Sequence, residues 1–207
     1  MRSLLIILCT FSVLNTAAQY ITTYPDISDK SKWKVYNRKI NVDTALHLSS
    51  NQGDGIVWFK DLLFKEGEIE LDIRGKDVQG KSFVGIAFHG QNDTSYEAVY
   101  FRPFNFRSPD KNNHSVQYIS HPENPWFKLR ELFPGLYENK IIPAPNPDQW
   151  FHVKIIITSL QIRVFVNKSN NYNFMIEKLL PKPAGLVGLW VGNGSDGTFR
   201  NLKIVQY

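Results

Sequence analysis

The stretch GEIELDIRG, residues 67–75, alternates without a break. Ile69, Leu71 and Ile73 fall on one side of an extended chain, and Glu68, Glu70, Asp72 and Arg74 on the other. A period of two belongs to a strand buried on one face; a helix would scatter the same residues around its axis. The texture recurs along the chain. SFVGIAFHG (82–90) sorts Val84, Ile86 and Phe88 from Gly85, Ala87 and His89. WFHVKIIIT, LQIRVFVN, AGLVGLWVG and FRNLKIVQY are rich in β-branched and aromatic residues and bounded by Gly, Asn or Pro. With KWKVYNRKI, ALHLSS and GIVWFK near the start, about a dozen strands are expected, most separated by turn-sized gaps. That spacing predicts an all-β chain, two antiparallel sheets stacked as a jelly-roll sandwich.

One segment breaks the pattern. In NPWFKLRELFPG, Asn124 is placed to cap, Pro125 suits the first helical position, and Pro134-Gly135 ends the run, which predicts a short helix of two turns at most. The helix lies in a connection spanning roughly 103–148, longer than most loops. Trp126, Phe127, Phe133 and Tyr137 make that connection too aromatic for a disordered segment, so it is expected to fold back over a sheet.

The first eighteen residues are set apart. Arg2, the apolar run LLIILCTFSVL and the small residues TAA have the layout of a secretory signal peptide, too short to stay in a bilayer as a helix. An exported mature chain, 19–207, is expected to form a single domain with no membrane insertion. Cys9, the one cysteine, lies in the leader, which removes disulfides, thiolate metal sites and thiol nucleophiles from the mature chain. The formal charge of +5 is not gathered into any dense basic run, which argues against a nucleic-acid partner.

YEAVYFRPFNFR, residues 96–107, is the segment that most asks for a ligand. If Val99 and Phe101 face the core, Ala98, Tyr100 and Arg102 face the other way, and the neighbouring strand offers Gly85, Ala87 and His89 by the same rule. Small residues beneath a few convergent polar and aromatic groups describe a groove. An oligosaccharide or polysaccharide suits it, because sugar hydroxyls take planar donors such as Arg102, Asn105 and Arg107, and sugar ring faces stack on aromatics. Tyr100, Tyr118, Trp126 and Trp58 are the expected stacking residues, with His121 a further polar contact. His89, His121 and Glu97 are the groups able to move a proton there. In the alternative reading, Arg102 pairs with Glu97 structurally and the phenylalanines pin the excursion.

Other constellations are weaker. Glu68, Glu70 and Asp72 step along one strand face at about 6.7 Å, within the separations glycosidases use, but a solvated convex face is the better reading of them. His47, His89, His114, His121 and His152 have no paired metal-ligand spacing. No cofactor is expected; a structural calcium on loop oxygens near GNGSDG, with Asn193 and Asp196, stays open.

Taken together, GIVWFKDLLFKEGEIELDIRGKD, SFVGIAFHG, YEAVYFRPFNFR, VQYISHP and GLVGLWVGNGSDGTFRNLKI resemble the concanavalin A-like lectin/glucanase superfamily. Within it they resemble secreted bacterial proteins related to 3-keto-disaccharide hydrolase domains. The resemblance implies a two-sheet jelly roll whose hollow face binds glycans or holds a glycosidic active site. Tyr96-Glu97 resembles a Tyr-Glu pair of the keto-sugar hydrolase domains, which makes Glu97 the leading carboxylate, with His89 beside it. The glucanase strand Glu-x-Asp-x-Glu stands here as Glu-x-Glu-x-Asp, a departure that speaks against glucanase-type double displacement. Glycoside hydrolase and non-catalytic, lectin-like module both remain open.

Overall fold

The structure is a computed structural model that describes residues 20–179 and 181–207; the expected signal peptide, with Cys9, lies outside the described residues. Fifteen strands are present among them. They are β1 (Ile21–Thr23), β2 (Trp33–Tyr36), β3 (Ile40–Val42), β4 (Leu46–Leu48), β5 (Gly55–Phe64), β6 (Gly67–Arg74), β7 (Val84–Gly90) and β8 (Tyr96–Phe101). After these come β9 (Val116–His121), β10 (Glu138–Asn139), β11 (Phe151–Ile157), β12 (Gln161–Val166), β13 (Phe174–Glu177), β14 (Gly185–Val191) and β15 (Gly197–Gln206). The seven-stranded sheet runs β10-β9-β8-β7-β14-β5-β2 and the eight-stranded sheet β13-β12-β11-β6-β15-β4-β3, with β1 added beside β15. All the pairings are antiparallel, so the predicted two-sheet sandwich is the observed fold.

The alternation read in the sequence is what builds the layers. Ile69, Leu71 and Ile73 of β6 meet Val84, Ile86 and Phe88 of β7 in one apolar cluster between the sheets. Each such side chain contributes about 1.5–3 kcal/mol by leaving water. Glu68, Glu70 and Asp72 point outward from the eight-stranded sheet, where each is ion-paired: Glu68 to Lys154, Glu70 to Lys203, and Asp72 to Arg200, with His152 Nδ1 2.9 Å from Asp72 as well. The acidic stripe is therefore a solvated, neutralised outer face.

Two features of the long connection differ from expectation. It contains strands β9 and β10, which extend the seven-stranded sheet beyond β8. Its helix, α1 (Trp126–Leu132), begins one residue later than the sequence suggests, with Pro125 at the N-cap position and no side-chain cap. Asn124 instead exchanges backbone hydrogen bonds with Ser120, which closes a tight turn after β9 and leaves it no role as a cap.

Candidate binding and catalytic cleft

The outer face of the seven-stranded sheet is built row by row from the strand register. One row reads Gln117, Tyr100, Gly85, Trp190 and Ile56 across β9, β8, β7, β14 and β5. The next reads Ile119, Ala98, Ala87, Gly188 and Trp58. The small residues do form a floor, as expected, but an open floor it is not: Trp58, Trp190, Tyr96 and Tyr100 lie over it and form a second buried cluster. A void above glycine and alanine is a loss of contacts, and rings from the adjacent strands fill it. Gly188 is required for this, since a Cβ there would stand 2.6 Å from Ile56 Cγ2 and 2.7 Å from Trp58 Cε3.

The opening lies at one end of this layer, where β8 gives way to Pro103 and the chain turns into the excursion. A cleft of about 520 Å³ is bordered there by Tyr100, Arg102, Phe83, Phe104 and Asn105, with Trp126 and Arg130 of α1, His114, Lys111, Asp54 and Asn193 around it. Arg102 is the centre of its polar wiring. Its Nη2 donates to the Tyr100 hydroxyl at 2.6 Å and to Gln117 Oε1, its Nη1 donates to the His114 carbonyl at 3.0 Å, and its guanidinium lies 4.9 Å from the Tyr100 ring centre. Burial and the nearby Arg130 pull the Arg102 guanidinium down from its ordinary value, against the pull of Tyr100 and Glu138. Burial pushes the Tyr100 hydroxyl up to about 12 while Arg102 opposes the rise, so Tyr100 stays a neutral donor. Asn105, only 3 % exposed, donates from Nδ2 to the His114 carbonyl at 3.2 Å; its Oδ1 has no partner among the described residues.

Trp126 forms the outer wall. It is 45 % exposed, with the Arg130 guanidinium 5.0 Å from its ring centre, as the i, i+4 spacing of a helix dictates. Behind Arg130 sits Glu138 of β10. Arg130 Nε donates to Glu138 Oε1 at 2.9 Å, and His114 Nδ1 lies 2.7 Å from Glu138 Oε2. Burial alone would raise the Glu138 carboxyl, but the bonds and charges of Arg130 and His114 hold it below the usual range.

Several expected site residues are elsewhere. Glu97 and His89 do not reach the cleft. Glu97 shares the parity of Val99 and Phe101 and faces the layer between the sheets, where it is 1 % exposed. His89, one residue before the end of β7, has φ +52°, beside a register irregularity between β7 and β14. That twist turns its ring inward, against strict alternation, onto Phe64 and Phe88. There Nδ1 meets the Glu97 carboxylate and Nε2 lies 2.7 Å from the Lys65 carbonyl. Tyr118, expected in the groove, points inward from β9 and donates to the same carboxylate, and Lys178 Nζ lies 3.5 Å from it. Burial would raise the Glu97 carboxyl; His89, Lys178 and Tyr118 more than offset it and hold it below its ordinary range.

The rest divide cleanly. Tyr100, Arg102, Asn105 and Trp126 converge on the cleft. His121 stays on the outer face, 3.8 Å from Asp54 and packed on Tyr96, but does not border the opening. Arg107 is exposed on the turn after it. Arg102 pairs loosely with Glu138, at 3.8 Å, and not with Glu97. His114, Arg130 and Glu138 were not read as site residues from the sequence; only the spacing of Trp126 and Arg130 in WFKLR carried a signal. Asn193 Oδ1 accepts from Gly53 N at 2.7 Å, and Asp196 Oδ2 pairs with Lys76. Among the described residues no three His, Cys, Asp or Glu converge on a point. No described helix is long and apolar enough to cross a membrane.

Comparison with known proteins agrees with this architecture. Residues 25–205 match the family described as the 3-keto-alpha-glucoside-1,2-lyase-like domain. Among solved structures, the carbohydrate binding module CBM66 from Bacillus subtilis superimposes with a TM-score of 0.63 at 13 % identity, over 84 % of this chain and 95 % of that one. The exoplasmic/lumenal domain of VIP36, in a form bound to Ca2+ and Man3GlcNAc, gives 0.58 at 12 % identity over 86 % and 85 %. A putative glycosyl hydrolase from Parabacteroides distasonis ATCC 8503 gives 0.55 at 14 % identity over 92 % and 100 %. At these identities the likeness is one of fold. A comparison with curated protein sequences finds no match. The chain belongs to the 3-keto-alpha-glucoside-1,2-lyase-like domain family.

Proposed function

We propose that this member of the family is an exported carbohydrate-active protein that binds a 3-keto-α-glucoside in the cleft at the end of β8 and breaks its glycosidic bond by elimination. The observation that carries the reading is the buried Arg102–Tyr100 pair at the floor of that cleft, faced by Trp126 across the opening. A keto group at C3 makes the hydrogen on C2 acidic, and loss of that proton puts negative charge on the C3 oxygen. A guanidinium fixed in advance, in a site partly shielded from water, is a donor such charge calls for, and the Tyr100 hydroxyl holds it by accepting from Nη2 while donating to Gln117 Oε1 at 3.1 Å. Gln117 and the His114 carbonyl hold Arg102 in place, so little reorganisation is needed when the charge develops. Trp126 offers a flat apolar face to the sugar ring or its aglycone.

Incubation of the protein with a 3-keto-α-glucoside, with products followed by mass spectrometry, tests this. Elimination releases the aglycone alcohol and an unsaturated keto sugar; hydrolysis yields a sugar heavier by one water. Release of neither product would refute the catalytic reading. The second reading, a glycan-binding module without turnover, is favoured by the open exposure of Trp126 and would then be tested by affinity for oligosaccharides on an array.

A further inference from the structure

The elimination needs a base at C2, and the residues expected to supply one, Glu97 and His89, are sealed between the sheets. Resting on the reading above, we propose that His114 is that base and that Glu138 is its positioning residue. His114 borders the cleft, its carbonyl held by Arg102 and Asn105, and its Nδ1 lies 2.7 Å from a carboxylate that is itself nearly buried. Arg130 Nη2, a donor, lies 3.3 Å from the same nitrogen, but the carboxylate at 2.7 Å is the closer partner and accepts only, so Nδ1 carries the hydrogen and the lone pair is left on Nε2. Nε2 has no partner among the described residues.

The other groups around the cleft are less suited. The Asp54 carboxylate accepts from the Tyr96 hydroxyl at 2.7 Å and faces His121. Glu138 is consumed by Arg130 and His114. Lys111 and Arg130 border the cleft as cations and offer electrostatic help to a developing anion. The titratable and charged groups facing His114 are Glu138, Arg130 and Arg102, with Lys111 one 3-10 turn before it on the cleft border.

The step balances without any further reagent. Nε2 takes the C2 proton, and the C–H electron pair becomes the C2=C3 bond of an enolate as the carbonyl pair moves onto the C3 oxygen. Arg102, held by Tyr100 and Gln117, stabilises that oxygen. The carbonyl then reforms, the pair shifts to C1=C2, and the C1–O bond breaks with its electrons on the aglycone oxygen. That oxygen takes a proton from solvent, and the imidazolium returns its own.

The test measures turnover of a 3-keto-α-glucoside and of its C2-deuterated form, alongside binding of the unreactive parent α-glucoside. Wild-type protein is expected to show a primary deuterium isotope effect. His114→Gln should lower kcat at least about 100-fold with parent-glucoside binding unchanged, and added imidazole should restore part of the activity of His114→Gly. Glu138→Gln presents an amide that can donate to Nδ1 and so favours the tautomer with no lone pair on Nε2. Its kcat should fall about tenfold or more with KM unchanged and the isotope effect enlarged. Wild-type protein that turns over while His114→Gln stays within about threefold of it would overturn the assignment and leave the function standing. Lost binding in His114→Gln, with no imidazole rescue of His114→Gly, would also overturn it. A wild-type protein inert toward keto glucosides removes both.

Discussion

Replacing Glu97 by glutamine separates a structural carboxylate from a catalytic one. The side chain is 1 % exposed and receives His89 Nδ1, the Tyr118 hydroxyl and the Lys178 ammonium at 3.5 Å. Glutamine keeps the shape and removes the charge, leaving Lys178 buried beside a neutral amide that also presents two donors. Breaking a buried pair from one side costs about 3–5 kcal/mol. For a domain of this size that corresponds to a fall in Tm of about 6–20 °C. Thermal unfolding followed by circular dichroism measures it, with ligand binding in the cleft measured well below the new midpoint.

The pH dependence sharpens the test. The folded carboxyl is held below its ordinary 4.5, so its contribution is present above that value and is lost as pH falls through the lowered folded value. The gap in stability between wild type and Glu97→Gln is therefore widest at neutral pH and narrows on the acid side. A variant that melts with the wild type yet no longer binds or turns over sugar would refute this reasoning and return Glu97 to the reaction.

Further expectations follow from other contacts. Gly188→Ala drives a Cβ into Ile56 and Trp58 and should cost about 1–3 kcal/mol, seen as an earlier urea midpoint with a shifted tryptophan emission. Trp126→Ala should change stability by no more than about 0.5 kcal/mol while weakening glycoside affinity about tenfold or more, read by calorimetry. Tyr100→Phe strips a partner from Arg102 and Gln117 and should lower stability by about 1–3 kcal/mol; unchanged melting and unchanged binding together would count against the Arg102 network. Burial pushes His121 below its ordinary 6.5, with Asp54 and Glu123 opposing, so the unfolded chain takes up its proton first. Stability is then fullest above 6.5 and declines as pH falls below it, and His121→Gln should flatten that part of the curve in urea titrations.

The fold was legible because its signal is local and repeated. Ile69-x-Leu71-x-Ile73 states which face is buried, and the structure obeys it residue by residue. β9 was harder, since VQYISH carries polar residues on both faces: Gln117 and His121 outward, Tyr118 and Ser120 inward. In the candidate site, Tyr100, Arg102, Asn105 and Trp126 followed from strand parity and from the aromatic density of the excursion. His89 did not, because parity fails at a residue with positive φ, and nothing in FHG announces one. Glu138 was illegible for a different reason. Its role depends on β10 bringing a residue from beyond α1 back beside β9, a contact with no local pattern.

The sorting along β8 bears on where function can reside at all. Tyr96, Ala98 and Tyr100 face outward and Glu97, Val99 and Phe101 inward, so the strand gives its charge to the core and its aromatic hydroxyls to the surface layer. Tyr96 is spent on Asp54 and Trp190, and the tryptophans cover the small residues below. Most of the outer face is therefore closed by the sheet's own side chains. What stays open lies between the end of β8 and the excursion, and the excursion supplies most of its reactive groups: Asn105, His114, Trp126, Arg130 and, behind them, Glu138. Under the proposed function, the strand end thus fixes Arg102 and Tyr100, while the segment from Pro103 to Asn139 decides which glycoside meets them and what is done to it. Grafting that segment from a non-catalytic relative should abolish turnover and leave the sandwich folded; retained turnover in such a chimera would place the chemistry on the sheet instead.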